Sequence, residues 1–315
     1  MTAVAAAIAT WIIYAAFSPD GQPTPYATEQ VASYRELGFN TLVVDTSPHL
    51  STARRSAWDR LATHWFQRAN VGYDFTSYRE GIEHLRATHA IDPSATAVLL
   101  TNDSCFGPFE QMHDVFLRIG RDDGASKTVY AITDSYERQH HLQSYWLYLR
   151  PDVLPVVLEF FDAMKPLAGL DDAISFGELA FSRFLSERGC TLRALAPTAE
   201  VVARFARFNG FALSLLELGF RRILDRPKYS RATDAACLRH LLHRPAPFDG
   251  FNPTLGLGIR MVEAGLTPFV KRRLLRENPY ADPSIPPYPL QADLQNRDVL
   301  RLLHPADAPR QGNAD

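Results

Sequence analysis

The sequence predicts an α/β fold: a Rossmann-type, mostly parallel sheet flanked by helices, with a helical appendage at the C-terminal end. Three observations predict it. Short apolar runs rich in aromatic and β-branched residues, at 11–17, 41–45 and 97–100, recur with helix-length stretches between them. These runs are apolar throughout rather than alternating, as in strands buried on both faces. Strand, helix, strand in succession argues for parallel neighbours joined by right-handed crossovers.

Each element follows in order. Residues 11–17 form the first strand, stopped by the turn signal Ser18-Pro19-Asp20-Gly21. Residues 25–37 carry Val31, Tyr34 and Leu37 at helical spacing, with Gly38 as the stop. Residues 41–45 are the second strand, a short strand around Trp65 and Phe66 is the third, and a helix runs over 81–87. Residues 97–100 form a strand closed by Thr101-Asn102-Asp103-Ser104, and 127–132 another, ending at Thr133-Asp134-Ser135. Residues 142–149 read as a further strand, and 153–164 and 176–188 as helices. An α/β domain thus occupies 1–200. A helical region follows over 201–304, with helices at 200–224, 233–243 and 255–276 punctuated by prolines, and 305–315 is a loose tail.

Composition narrows the function classes. A chain of 315 residues that is 46% hydrophobic buries enough surface to offset chain entropy, which excludes disorder. The net charge of −2 excludes a uniformly basic nucleic-acid binder. Cys105, Cys190 and Cys237 form no C-x-x-C pair, which argues against a zinc knuckle or disulfide framework and for a reducing, cytoplasmic setting. The apolar N-terminus lacks a basic leader region and falls short of the ~20 residues a membrane span needs. Charge is unevenly spread: residues 221–276 carry twelve Lys and Arg against four Asp and Glu, leaving the rest of the chain at −10. A basic face there, with Phe269, Leu274 and Leu275 nearby, is a candidate for peripheral contact with anionic lipid on the inner face of the membrane; an ordinary solvated charged face is its rival.

In open α/β sheets ligands bind beyond the carboxyl ends of the strands. Asp45, the Asn102-Asp103-Ser104 turn and Asp134 stand at such ends. Asp103 is placed to hold a hard divalent cation, Mg²⁺ or Mn²⁺, against a phosphorylated ligand. In the segment 68–81, Gly72 permits close backbone approach, Asn70 and Asp74 suit hydroxyl groups, and Arg79 offers a phosphate-matching fork. The alternative there is a polar loop entering a helix that Asp74 caps. In the segment 134–146, His141, Gln143 and Ser144 beside Tyr and Trp suit a sugar, whose hydroxyls take hydrogen bonds and whose C–H face takes aromatics. Glu178 opens a helix whose apolar face includes Leu179 and Phe181; it is a general base only if that helix begins at the ligand edge.

The pieces IIYAAFSPDG, LVVDTS, RANVGYDFTSYREGI, VLLTNDSCFGPF, TDSYERQHHLQSYWLYLRP, FGELAFSRFLSERG and NPTLGLGIRMVEAGLTPFVKRRLLRENP stand in this order along the chain. Together they resemble glycosyltransferases of the GT-A fold near family two and, more narrowly, the rhamnan synthesis protein F family of bacterial polysaccharide assembly. The resemblance implies a hexosyltransferase, in particular a rhamnosyltransferase, using dTDP- or GDP-rhamnose and extending an O-antigen, rhamnan or capsule on a lipid-linked or oligosaccharide acceptor. It implies donor-binding roles for Asp45, Asn70, Gly72, Asp74, Arg79, Asn102 and Asp103. The metal is expected on Asp103, although Thr101 replaces the first aspartate of the family's Asp-x-Asp motif. It further implies that Glu178 is the inverting base, and that Asp134, His141, Gln143 and Ser144 line the sugar or acceptor pocket. The rival readings are a non-catalytic carbohydrate- or nucleotide-binding partner, and a phosphotransferase, which lacks the expected phosphate-cradling glycine motif.

Overall fold

The computed structural model describes residues 9–109, 112–122, 126–206, 251–277, 279 and 296–303. Its strands are β1 (Ala9–Ala16), β2 (Asn40–Asp45), β3 (His64–Gln67), β4 (Thr96–Asn102), β5 (Cys105–Phe106), β6 (Thr128–Ser135), β7 (His141–Leu142), β8 (Trp146–Leu149), β9 (Thr191–Ala196) and β10 (Val270–Lys271). The main sheet runs β3-β2-β1-β4-β8-β6-β7, with β9 alongside β6. Strands β1, β2, β3 and β4 are mutually parallel, as are β6 and β9; β8 is inserted antiparallel between β4 and β6. The α/β, mostly parallel expectation therefore holds. The chain leaves β1 to build β2 and β3 on one side and returns to build β4 on the other, which opens a crevice between the carboxyl ends of β1 and β4.

The helices are α1 (Pro25–Glu36), α2 (Thr52–Leu61), α3 (Tyr73–Ala87), α4 (Met112–Gly120), α5 (Leu154–Ala163), the single turn α6 (Leu170–Asp172), a π-helical stretch Ala173–Leu179 continuing into α7 (Ala180–Glu187), α8 (Thr198–Ala206), and α9 (Pro253–Gly256), α10 (Gly258–Glu263), α11 (Arg272–Glu277) and α12 (Asn296–Leu303). Alternate residues of each strand feed two apolar layers. On one face Ile12, Tyr14 and Val43 pack with Tyr34, Trp58, Val202, Leu255 and Val270. On the other, Ile13, Val44 and Leu100 pack with Phe75, Tyr78, Phe160 and Phe181.

Several local expectations change. The strand read over 142–149 is split into β7 and β8 by a turn. The helical region read over 255–276 with an interruption at Pro268 is interrupted there by a strand: after Pro268 the chain extends as β10 and pairs antiparallel with β5, Val270 opposite Phe106 and Lys271 opposite Cys105. The lipid-facing stripe does not hold, because Phe269, Leu274 and Leu275 are 3%, 1% and 7% exposed and belong to the core, where apolar contact with the sheet outcompetes any membrane. The expected helices beyond residue 206, the basic stretch 221–250 and the tail 305–315 lie outside the described residues. No described helix is long and apolar enough to cross a membrane.

Candidate active site

The turn after β4 borders the β1–β4 crevice. The Asp103 amide donates to the Ala15 carbonyl at 3.2 Å, and Asp103 Oδ2 accepts the Phe17 amide at 3.0 Å, so its carboxylate bridges the two strand ends. Burial pushes this carboxyl up, opposed by the nearby Arg272 guanidinium. Thr101, one residue inside the strand, turns its hydroxyl inward to the Tyr145 carbonyl at 2.8 Å. A residue in that register faces the sheet, so Thr101 braces strands rather than facing ligand.

A second wall comes from α3 and the π-helical stretch. Gly72, in the left-handed region at φ +79°, starts α3 and sets Asp74 in its first turn. Asp74 Oδ2 accepts from Asn102 Nδ2 at 2.7 Å, while Asn102 Oδ1 accepts the Ser104 amide at 3.1 Å, linking α3 to the turn. Burial, then the Glu178 carboxylate, pushes the Asp74 carboxyl up to about 6. Glu178 Oε1 accepts the Ser144 amide at 2.8 Å, and its Oε2 lies 3.8 Å from His141 Nε2. The Tyr78 hydroxyl donates to the Ser144 carbonyl at 3.0 Å and closes the floor beneath them. The wider π-helical turn brings Gly177 against the Phe75 ring, where a Cβ would lie 2.8 Å from Cδ2.

The third wall was not singled out from the sequence. The Arg272 amide donates to the Ser104 carbonyl at 2.9 Å, so the β5–β10 ribbon carries Lys271 and Arg272 back over the turn. Lys271 Nζ lies 3.2 Å from Ser104 Oγ and 4.4 Å over the Tyr145 ring; the Arg272 guanidinium lies 4.7 Å over Tyr26. An aromatic and β-branched pair, Phe269-Val270, directly after Pro268 is the strand signal that identifies this edge.

Asn102, Asp103, Asp74, Glu178, His141 and Ser144 thus lie around one crevice. The other candidates are engaged elsewhere. Asp45 is fully buried and saturated: Oδ2 accepts from Arg54 Nε at 2.6 Å and Trp58 Nε1 at 2.7 Å, and Oδ1 from the Ser47 amide and hydroxyl. Residues i and i+4 on α2 supply both Oδ2 donors, and Ser51 caps that helix. Asp134 joins the Thr198 amide at 2.6 Å and His140 Nε2 at 2.9 Å, docking α8 on β6. Burial raises its carboxyl, but those hydrogen bonds outweigh this and hold it below the usual range. Gln143 is buried between Thr133 and Asn252. Asn70 is exposed on the loop before α3, and Arg79 reaches Glu83 and the Met164 carbonyl one turn further along. Cys105 is a buried packing residue, its thiol pushed up by burial.

The expected divalent metal finds a poor donor set. Among the described residues no group of three or more His, Cys, Asp or Glu converges. Asp103 supplies one carboxylate, already holding the Phe17 amide, with Arg272 Nη1 3.9 Å from the same oxygen. A hard cation wants several oxygens and no adjacent guanidinium. The residues present do not fit a protein-held ion.

The sequence profile of rhamnan synthesis protein F matches residues 42–213, more than half of the chain. The chain belongs to the rhamnan synthesis protein F family. The matched stretch holds Asp45, the segment 68–81, the TNDS turn, the segment 134–146 and Glu178, while Lys271 and Arg272 of this family member lie beyond it. A curated relative, virulence protein VirA of Vibrio anguillarum (strain ATCC 68554 / 775), is 24% identical over 225 residues, covering 70% of this chain and 65% of the relative, so the chain spans about two thirds of that protein's length. Remote likenesses among solved structures include a 4-diphosphocytidyl-2C-methyl-D-erythritol synthase, 12% identical with TM-score 0.37 over 59% of this chain and 87% of that one. Another is a protein described as a nucleotide-diphospho-sugar transferase from Desulfovibrio desulfuricans G20, 12% identical with TM-score 0.34 over 73% and 94% of the two chains.

Proposed function

We propose that this family member is a nucleotide-sugar-dependent glycosyltransferase of bacterial surface-polysaccharide assembly, with rhamnose as the sugar that the family's name favours. The observation that carries the reading is Glu178 beside the crevice of Asp74, Asn102 and Asp103: one carboxylate oxygen is fixed by the Ser144 amide, and the other makes no hydrogen bond among the described residues and stands 3.8 Å from His141 Nε2. A donor diphosphate lies along the β1–β4 crevice in this reading, with the acceptor on the Glu178 side. The acceptor hydroxyl attacks the anomeric carbon, its proton passes to Glu178, and the bond to the β-phosphate oxygen breaks with its electron pair left on the diphosphate. An alcohol is a poor nucleophile near neutral pH, which is why a positioned carboxylate matters. Attack opposite the leaving group inverts the configuration.

Glu178→Gln keeps the oxygen that accepts the Ser144 amide and removes the base. Transfer falls about 10²–10⁴-fold while nucleoside diphosphate still binds, measured by product release and by titration of the nucleotide; near-normal turnover overturns the role. A second reading, a non-catalytic carbohydrate- or nucleotide-binding partner, draws support from the inward-turned Thr101 hydroxyl. Release of nucleoside diphosphate from the sugar donor separates the two.

A further inference from the structure

We propose that Lys271 and Arg272 form a metal-independent site for the diphosphate of the ligand, occupying the place in which a divalent ion was expected. The identity of the ligand rests on the glycosyltransferase reading; the anion site rests on geometry and charge. Three observations converge on it.

The first is register. Because β10 pairs with β5 and the Arg272 amide bonds the Ser104 carbonyl, both side chains are fixed over the turn at the β1–β4 switch. The second is charge left over. Among the described residues Lys271 has no carboxylate within ion-pair distance; a hydroxyl and a ring face hold its ammonium, whose charge also reaches the Asp74 carboxyl and lowers it. Arg272 Nη1 donates to the Asp103 carbonyl at 3.1 Å and stands 3.9 Å from Asp103 Oδ2, and the side chain stays 36% exposed, so its remaining N–H groups are open to a ligand. The third is the acidic side of the balance. Asp103 Oδ2 is committed to the Phe17 amide, which leaves the turn short of oxygens for a cation where Lys271 and Arg272 already supply two fixed positive charges.

The chemistry matches the need. When the bond between the anomeric carbon and the β-phosphate oxygen breaks, that oxygen keeps the electron pair and the diphosphate gains one negative charge, while the acceptor proton goes to Glu178. Two cations pre-oriented by aromatic faces stabilise that charge as it develops, and the Arg fork matches phosphate oxygens in pairs. Aromatic faces suit this task because they orient a cation without neutralising it.

The test uses the full chain with UDP, GDP, dTDP and inorganic pyrophosphate, titrated in EDTA and in MnCl₂. Binding of at least one diphosphate is expected to be equal in both within about twofold, and to weaken steeply with added salt. Lys271→Met and Arg272→Met each weaken it about tenfold or more. Lys271→Met is the decisive variant, since among the described residues that side chain has no carboxylate within ion-pair distance and its loss, of one hydroxyl contact and one ring-face contact, lowers the melting temperature of the unliganded protein only slightly. Binding that requires Mn²⁺ and vanishes in EDTA overturns the proposal, as does binding indifferent to Lys271→Met. Metal-free diphosphate binding without consumption of any nucleotide sugar leaves the anion site standing and removes the glycosyltransferase reading. Metal-dependent transfer does the reverse.

Discussion

Asp74 binds its proton more tightly in the folded chain than in the unfolded one, because burial and the Glu178 carboxylate raise its carboxyl to about 6 from the usual 3.8. The sign follows from linkage: between those two values the folded state holds more protons, so stability is greatest below the lower value and falls as pH rises through the upper. Asp74→Asn keeps an acceptor for Asn102 Nδ2 and removes the titration. The variant gains on the parent as pH rises, reaching about 1–3 kcal/mol by about pH 7.5 and little at about pH 4. Urea unfolding at both values checks this, and a gap that does not change with pH overturns it. Legibility at this scale is uneven. The positions of Asp45 and Asp103 at strand ends follow from apolar runs that stop at a polar turn. Which neighbour consumes each carboxylate does not, because nothing in the sequence around Arg54 marks it as buried. Any of the three arginines in TARRSAWDRL reads as solvent-facing, yet Arg54 is fully buried against Asp45.

Helices with polar buried faces are the elements that pattern reading misses. The buried side of α2 is Arg54, Ala57 and Trp58, and the first turns of α3 bury Thr76 and Ser77 beside Phe75 and Tyr78. An apolar stripe is the usual helix signal; α2 has none, and in α3 the stripe Phe75, Tyr78, Ile82 and Leu85 is interrupted by the buried Thr76 and Ser77, so the sequence reads as helix only over 81–87. Strands β1, β2, β4 and β6 were legible because central parallel strands are apolar on both faces. Gly72 shows what the start of α3 demands. A Cβ there lies 2.1 Å from Thr76 Oγ1 at φ +79°, whereas at Gly38, φ +81°, nothing lies within 4 Å. Gly38→Ala carries backbone strain alone, about 1 kcal/mol, and Gly72→Ala adds the clash for a total of about 2–4 kcal/mol. It also displaces Asp74, so diphosphate binding weakens in that variant only. Equal losses in the two variants, by thermal unfolding, overturn the contrast.

For the molecule as a whole, the described part of the C-terminal region is structurally continuous with the sheet. Phe251, Leu255, Leu257, Val262, Phe269 and Val270 share one apolar layer with Ile12, Tyr14 and Trp146. Burying each large side chain contributes about 1.5–3 kcal/mol, so losing six of them exhausts the ~5–15 kcal/mol by which a domain is stable. A chain ending at residue 250 therefore has no cooperative melting transition by circular dichroism; a soluble fragment that melts like the parent overturns this. Sequence reading places a boundary near residue 200 because proline density and charge change there. Composition records such a change without recording that the later residues return to cover the sheet.

Contacts at the ends of β5 join residues far apart along the chain: Lys271 to Ser104 spans 167 positions, and Asn296 of α12, whose side chain bonds both the amide and the carbonyl of Gly107, spans 189. Closing so long a loop adds little to the entropy cost, which grows only with the logarithm of its length, but it makes the contact a late one. During synthesis the strand ends and Glu178 emerge well before Lys271 does. The acids and hydroxyls of the crevice thus leave the ribosome well before its cationic wall, which is the last part of it to be put in place.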